Sequence, residues 1–151
     1  MTLLTVTKQI NAPLNRVFNT ISDIRNFTEA VPDIVHVEFL TEQKHGVGTK
    51  FRETREINGR KATTDLEVTE LKEDEYIRLV SDAGGTIWDS LFTVKEKKGV
   101  TELTLTMEAK PYKMMAKLTT PLMKGIMKKA LKKDMISLKN YCEADAPKKA
   151  L

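Results

Sequence analysis

The sequence is poor in the residues on which most readable chemistry depends. Cys142 is the only cysteine, which excludes an internal disulfide framework and any Cys-x-x-Cys motif. His36 and His45 are the only histidines, and no His-Glu-x-x-His spacing exists, so no metal site is expected. No apolar run approaches the ~18 residues that a membrane-spanning helix requires. The N-terminal run around Leu3-Leu4 is too short for a signal peptide, and no small-residue cleavage site follows it. Aromatic residues make up 6% of the chain, and none of the basic C-terminal segment interleaves them with lysine as a base-stacking platform needs. Nucleic acid is therefore not an expected partner. A lone thiol fits a reducing compartment, and the cytoplasm is the expected location.

What is present is an ordinary globular mixture of 40% hydrophobic and 30% charged residues over 151 positions, enough for one domain with a real core. The net charge of +4 is uneven. From Lys113 to Leu151 ten lysines face only Asp134, Glu143 and Asp145, a local +7, so the first 112 residues sum to −3. A basic end on a mildly acidic body raises the question of an anionic partner.

The apolar pattern changes period along the chain. Leu4, Val6 and Ile10 belong to a first strand that ends at Asn11-Ala12-Pro13. Leu14, Val17, Phe18 and Ile21 follow at helical spacing, and Ser22-Asp23 caps a second short helix that carries Ile24, Phe27 and Val31 up to Pro32. From Ile34 to Lys110 the chain alternates as a meander of six strands. Asn58-Gly59 gives one strong hairpin signal, and Gly46-Val47-Gly48, Lys72-Glu73-Asp74, Ala83-Gly84-Gly85 and Lys97-Lys98-Gly99 mark other turns. The last strand places Leu103, Leu105, Met107 and Ala109 on one face and Glu102, Thr104, Thr106 and Glu108 on the other. One face is therefore covered and the other wet.

After Pro111 the period is helical again. Met115, Leu118, Leu122 and Ile126, then Met127, Leu131, Met135, Leu138 and Cys142, predict one continuous apolar stripe, broken or kinked at Pro121. The long part is predicted to reach about Tyr141, with residues 144–151 frayed. A sheet with one apolar face needs a cover, and only this helix is long enough to supply it. Where a bent sheet does not close flush on one helix, large flexible side chains line a gap.

Several segments carry a family resemblance. Ile10-Asn11-Ala12-Pro13-Leu14-Asn15-Arg16-Val17-Phe18, followed by Ile21-Ser22-Asp23 and Phe27, resembles the opening of the START-like (SRPBCC) superfamily. That group includes polyketide cyclases, coenzyme Q-binding proteins, birch-type pollen allergens and lipid-transfer domains. Trp88-Asp89-Ser90-Leu91-Phe92 is similar to its Trp-x-x-x-Phe strand, Gly99-Val100-Thr101-Glu102-Leu103 to its Gly-Thr-x-Leu turn, and Pro121–Leu138 to its closing helix. The match departs at Phe27, where many members carry Trp. The resemblance implies an α+β helix-grip fold, a seven-stranded curved antiparallel sheet wrapped around a long C-terminal helix with two short helices after strand 1. It implies one ligand-binding domain over residues 1–143.

The function that follows is binding, and transport, of a hydrophobic small molecule such as a lipid, isoprenoid or polyketide-like compound. Fold alone does not fix function. A cyclase- or dehydratase-type enzyme and a protein–protein regulatory module stand as alternatives. The expected lining is Phe51, Glu53, Arg55, Leu66, Trp88, Phe92, Leu105, Met107, Met115, Leu118 and Met123, though any one of these side chains also suits plain core packing. Six of the seven methionines lie from Met107 onward, and methionine adapts to varied apolar partners.

Phe51, Glu53 and Arg55 share a face if their strand is regular. The two charged groups then pair with each other or serve a ligand, whereas a bulge would turn them outward. No catalytic residue or cofactor is assigned. Glu53, Asp65 and Tyr76 are the available acid–base groups, His36 and His45 read as surface positions, and Cys142 packs on the helix stripe. Ala83-Gly84-Gly85 lacks the lysine and following helix of a phosphate loop. Lys117, Lys124, Lys128, Lys132 and Lys139, with Lys129 and Lys133 beside them, read either as a solvated face or as a contact with anionic lipid head groups.

Overall fold

The structure, a computed structural model, describes residues 2–149, with side-chain surroundings for residues 3–144. Strand β1 (Thr2–Ile10) leads into helix α1 (Leu14–Ser22), a 3-10 turn over Ile24–Asn26 and helix α2 (Phe27–Ala30). The second short helix is thus split. Asp23 accepts the Arg25 N–H at 3.1 Å at its start, and Pro32 lies just beyond its end. Six further strands follow: β2 (Ile34–Phe39), β3 (Lys50–Ile57), β4 (Arg60–Lys72), β5 (Tyr76–Ala83), β6 (Thr86–Lys97) and β7 (Val100–Pro111). Helix α3 (Met114–Thr119), a 3-10 turn over Thr120–Met123 and helix α4 (Lys124–Lys149) complete the described chain.

The seven strands form one curved antiparallel sheet in the order β1-β7-β6-β5-β4-β3-β2. The meander pairs neighbours through short turns, and β1 joins β7, with Thr2 opposite Ala109 and Ile10 opposite Thr101. At the β3–β4 turn Asn58 and Gly59 both have positive φ, 54° and 77°, as a two-residue hairpin of this twist requires. Gly85 in the β5–β6 turn has a different reason. A Cβ there, at φ +84°, would stand 2.8 Å from Lys113 Cβ, so only glycine lets the start of α3 pass.

Both early helices and α4 cover the same face. Val17, Phe18 and Ile21 of α1, Phe51, Ile77 and Leu103 of the sheet, and Leu131, Met135, Leu138 and Cys142 of α4 are all buried in one cluster. Polar contacts hold α4 along β1. Lys139 Nζ donates to Gln9 O and to Glu143 Oε2, both at 2.7 Å, and Glu143 Oε2 also accepts the Asn11 N–H at 2.7 Å. The Asn11 N–H first, and then Lys139, hold the Glu143 carboxyl below its usual range.

Two expectations for the C-terminal segment need correction. Helix α4 continues past the expected end at Tyr141 to Lys149, and residues 150–151 of the tail expected to fray lie outside the described part. The apolar stripe is also not one buried face. Met115, Leu118, Leu122 and Ile126 are exposed, and burial begins only near Met127. Between Thr120 and Leu131 no residue is buried, and only Met127 and Ala130 are half-buried.

Candidate ligand cavity

Strand β3 sets the polar geometry. Its pairing with β4 runs unbroken from Lys50 opposite Glu67 to Ile57 opposite Arg60, and the bulge on its other side falls in β2, between Ile34 and His36. Alternation therefore carries Phe51, Glu53 and Arg55 to the covered face together. Phe51 is fully buried and meets Phe27 edge to face, with ring centroids 6.0 Å apart. It belongs to the core and does not line the cavity beside it.

That cavity, of about 290 Å³, lies between the sheet and α4. Leu66, Trp88, Phe92, Leu105 and Met107 form its floor, and Met127, Ala130 and Leu131 lie on the α4 side. Ile21, Phe27 and Ile34 close it from the α1–α2 side. Trp88 Nε1–H donates to Ala83 O at 3.3 Å, so the indole has its hydrogen bond and offers the cavity an apolar surface. Of the expected lining, Glu53, Arg55, Leu66, Trp88, Phe92, Leu105 and Met107 come together here. Met115, Leu118 and Met123 do not line it, because they lie on the exposed side of a segment whose buried residues are Ala116 and Thr120.

Sequence reasoning missed Asp134. Its position, three residues after Leu131 and four before Leu138, puts a carboxylate on the buried helix face, and that interruption was the available signal. Arg55 Nε donates to Glu53 Oε2 at 2.8 Å, Nη1 to Asp134 Oδ1 at 3.1 Å, and Nη2 lies 2.9 Å from Asp134 Oδ2. Burial alone would lower the arginine's proton affinity, but the Glu53 and Asp134 charges outweigh it and hold the guanidinium above its ordinary range. Thr64, Ser81 and Ser90 add hydroxyls to the otherwise apolar wall.

The other acid–base candidates lie elsewhere. Asp65 is on the outer face, bonded to Arg52 at 2.7 Å, and that hydrogen bond holds its carboxyl low. Tyr76 does not line the cavity, and His36 and His45 are exposed. Among the described residues no group of three His, Cys, Asp or Glu side chains has metal-binding geometry.

A second surface adjoins the cavity through the β5–β6 turn. Gly85 O accepts the N–H groups of Tyr112 and Lys113 at 2.9 and 3.2 Å, and the buried Thr86 and Thr120 hydroxyls meet at 2.9 Å. These contacts anchor α3, leaving Met114, Met115, Leu118, Leu122, Met123 and Ile126 between 38% and 82% exposed. From residue 109 to residue 133 there are eight lysines and no carboxylate. Lys133 pairs with Asp33 at 3.1 Å and Lys139 is tied to β1, whereas Lys117, Lys124, Lys128, Lys129 and Lys132 are exposed without an ion pair among the described residues. No described helix is long and apolar enough to cross a membrane.

Comparison with known proteins agrees with this architecture. A crystal structure of a Thermus thermophilus protein superposes with TM-score 0.77 at 17% identity, covering 95% of this chain and 99% of that one. A START superfamily protein of Mycobacterium smegmatis gives 0.74 at 17%, covering 94% and 97%. The di-domain ARO/CYC protein BexL, from the BE-7585A biosynthetic pathway, gives 0.77 at 12%, covering 93% of this chain and 46% of that one. At such identities the likeness shows the fold alone. No curated protein matches the sequence. The family model described as polyketide cyclase/dehydrase and lipid transport matches residues 1–143, nearly the whole chain, and the chain belongs to that family.

Proposed function

We propose that this protein binds a hydrophobic small molecule in the cavity between sheet and α4, and carries it between partners in the cytoplasm. A lipid, isoprenoid or polyketide-like compound fits that description. The carrying observation is the cavity itself, about 290 Å³ with an apolar wall and one polar end. A ligand burying about 400 Å² of apolar area there gains about 10 kcal/mol, of which lost translational and rotational freedom takes at least about 4 kcal/mol. The lone cysteine, buried on α4, suits a reducing location.

An anionic membrane is the surface from which such cargo would be collected. The exposed apolar side chains from Met114 to Ile126 supply an insertable face, and the unpaired lysines supply charge complementarity, each worth up to about 1 kcal/mol near such a surface. The enzyme reading has one supporting group: Glu53 is the only one of the three proposed acid–base residues in the cavity. It accepts a hydrogen bond from Arg55, which suits an orienting group.

The test is organic extraction of natively purified protein, with mass spectrometry beside a sample denatured before purification. A stoichiometric apolar molecule found only with folded protein is the expected result. An empty extract, with no thermal shift across a panel of lipids and aromatic polyketides, would reject the carrier reading.

A further inference from the structure

The polar end of the cavity has a definite charge, and that charge selects among ligands. Among the described residues, Glu53, Arg55 and Asp134 are the only charged side chains lining it. Both carboxylates are nearly buried, with side-chain exposures of 11% and 12%, and Arg55 is at 27%. A guanidinium has five N–H donors. Three of them are engaged by the two carboxylates, through Nε, Nη1 and Nη2. The cluster therefore carries two negative charges against one positive. Arg55, the group that would ordinarily capture an acid, is already neutralised by the protein.

Glu53 Oε1 receives no hydrogen bond from the described residues and is free to accept one, while the buried Ser81 and Ser90 hydroxyls can donate or accept. An incoming carboxylate would meet a net negative charge in a site screened from water, where like charges repel strongly. A hydroxyl or protonated amine would instead satisfy Glu53 Oε1.

We infer that the Glu53–Arg55–Asp134 cluster selects apolar ligands whose head group donates hydrogen bonds and carries no negative charge, and that it rejects carboxylates. This rests on the proposed cavity function and adds the head-group chemistry to it. The selection differs from that of a cavity with a free arginine, in which an acid would bind best.

Three probes with one tail and different heads separate the cases: 1-decanol, decylamine and decanoate, each displacing the uncharged dye Nile red near neutral pH. Decanol and decylamine are expected to displace the dye at concentrations about tenfold or more below decanoate. A clear lead of decylamine over decanol identifies charge as the selector, and parity identifies hydrogen-bond donation; either supports the inference. Glu53→Gln keeps the Arg55–Asp134 contact, makes the cluster neutral, and should narrow the gap by several-fold through improved decanoate binding. Thermal melts confirm that the variant is folded, and Asp65→Asn, which removes a carboxylate on the outer face away from the cavity, should leave decanoate's rank unchanged. Decanoate binding as well as decanol in the unaltered protein overturns the inference while leaving the cavity reading intact. Failure of Nile red and all three probes to bind rejects both.

Discussion

Arg55 of β3 and Asp134 of α4 meet across the cavity, with Nη1 3.1 Å from Oδ1 and Nη2 2.9 Å from Oδ2. The contact joins sheet to helix over a sequence separation of 79 residues, and Glu53 steadies the same guanidinium from the sheet side. It couples the polar end of the cavity to the packing of the fold.

Arg55→Met keeps the side chain's bulk but leaves Glu53 and Asp134 facing each other without a cation. Breaking a buried pair costs about 3–5 kcal/mol. Because Arg55 is about a quarter exposed, we expect about 2 kcal/mol near neutral pH. Urea denaturation of the variant beside the unaltered protein measures this, and an unchanged stability would mean that the two carboxylates do not need the cation.

Met135 and Leu122 are both large apolar residues of the closing segment, yet they occupy opposite environments. Met135 is fully buried and Leu122 is 81% exposed. Met135→Ala should cost about 2–5 kcal/mol, and Leu122→Ala should stay within about 0.5 kcal/mol. Thermal unfolding of the pair checks the burial boundary near Met127 directly. Similar losses in the two would show that the exposed segment is covered in solution.

The exposed segment also makes a binding prediction. Vesicles containing anionic lipid should co-sediment with the protein, and neutral phosphatidylcholine vesicles should do so at least about tenfold less well. Leu122→Ser with Ile126→Ser should abolish most of the anionic binding without lowering the melting temperature. Raised salt should weaken it as well. Conversion of a dimer to a monomer by the same two substitutions would point instead to a second copy of the chain on this face.

Glu143 supplies a pH-dependent tie between α4 and the end of β1. Its carboxyl is held low in the folded state by the Asn11 N–H and by Lys139, so its contribution is present above the ordinary carboxylate range and lost as pH falls through and below it. Glu143→Gln should destabilise the protein by about 1–2 kcal/mol at neutral pH. The two proteins should then converge in stability on acidification. A constant difference down to low pH would exclude the carboxylate as the source.

Much of the fold was legible because its signals are local. The alternation of Leu103, Leu105 and Met107 with Glu102, Thr104 and Thr106 identifies a half-covered strand, and Asn58-Gly59 allows a tight hairpin wherever it lies. Pro13, Pro32 and Pro111 mark changes of element within a residue or two of where they occur. Trp88, Phe92, Leu105 and Met107 could be assigned to the cavity face for the same reason, since alternation along a strand decides which side chains travel together.

Tertiary structure decided the rest. Helical spacing assigned Met115, Leu118, Leu122 and Ile126 to one stripe with Leu131 and Met135, but spacing cannot tell where the sheet beneath a helix ends. Whether Glu53 and Arg55 face inward depended on an unbroken register with β4, and the carboxylate that completes their cluster comes from the far end of the chain. Periodicity belongs to a single segment of backbone and is written in consecutive residues. Burial and charge pairing belong to two segments at once, and they exist only after folding has brought β3 and α4 together.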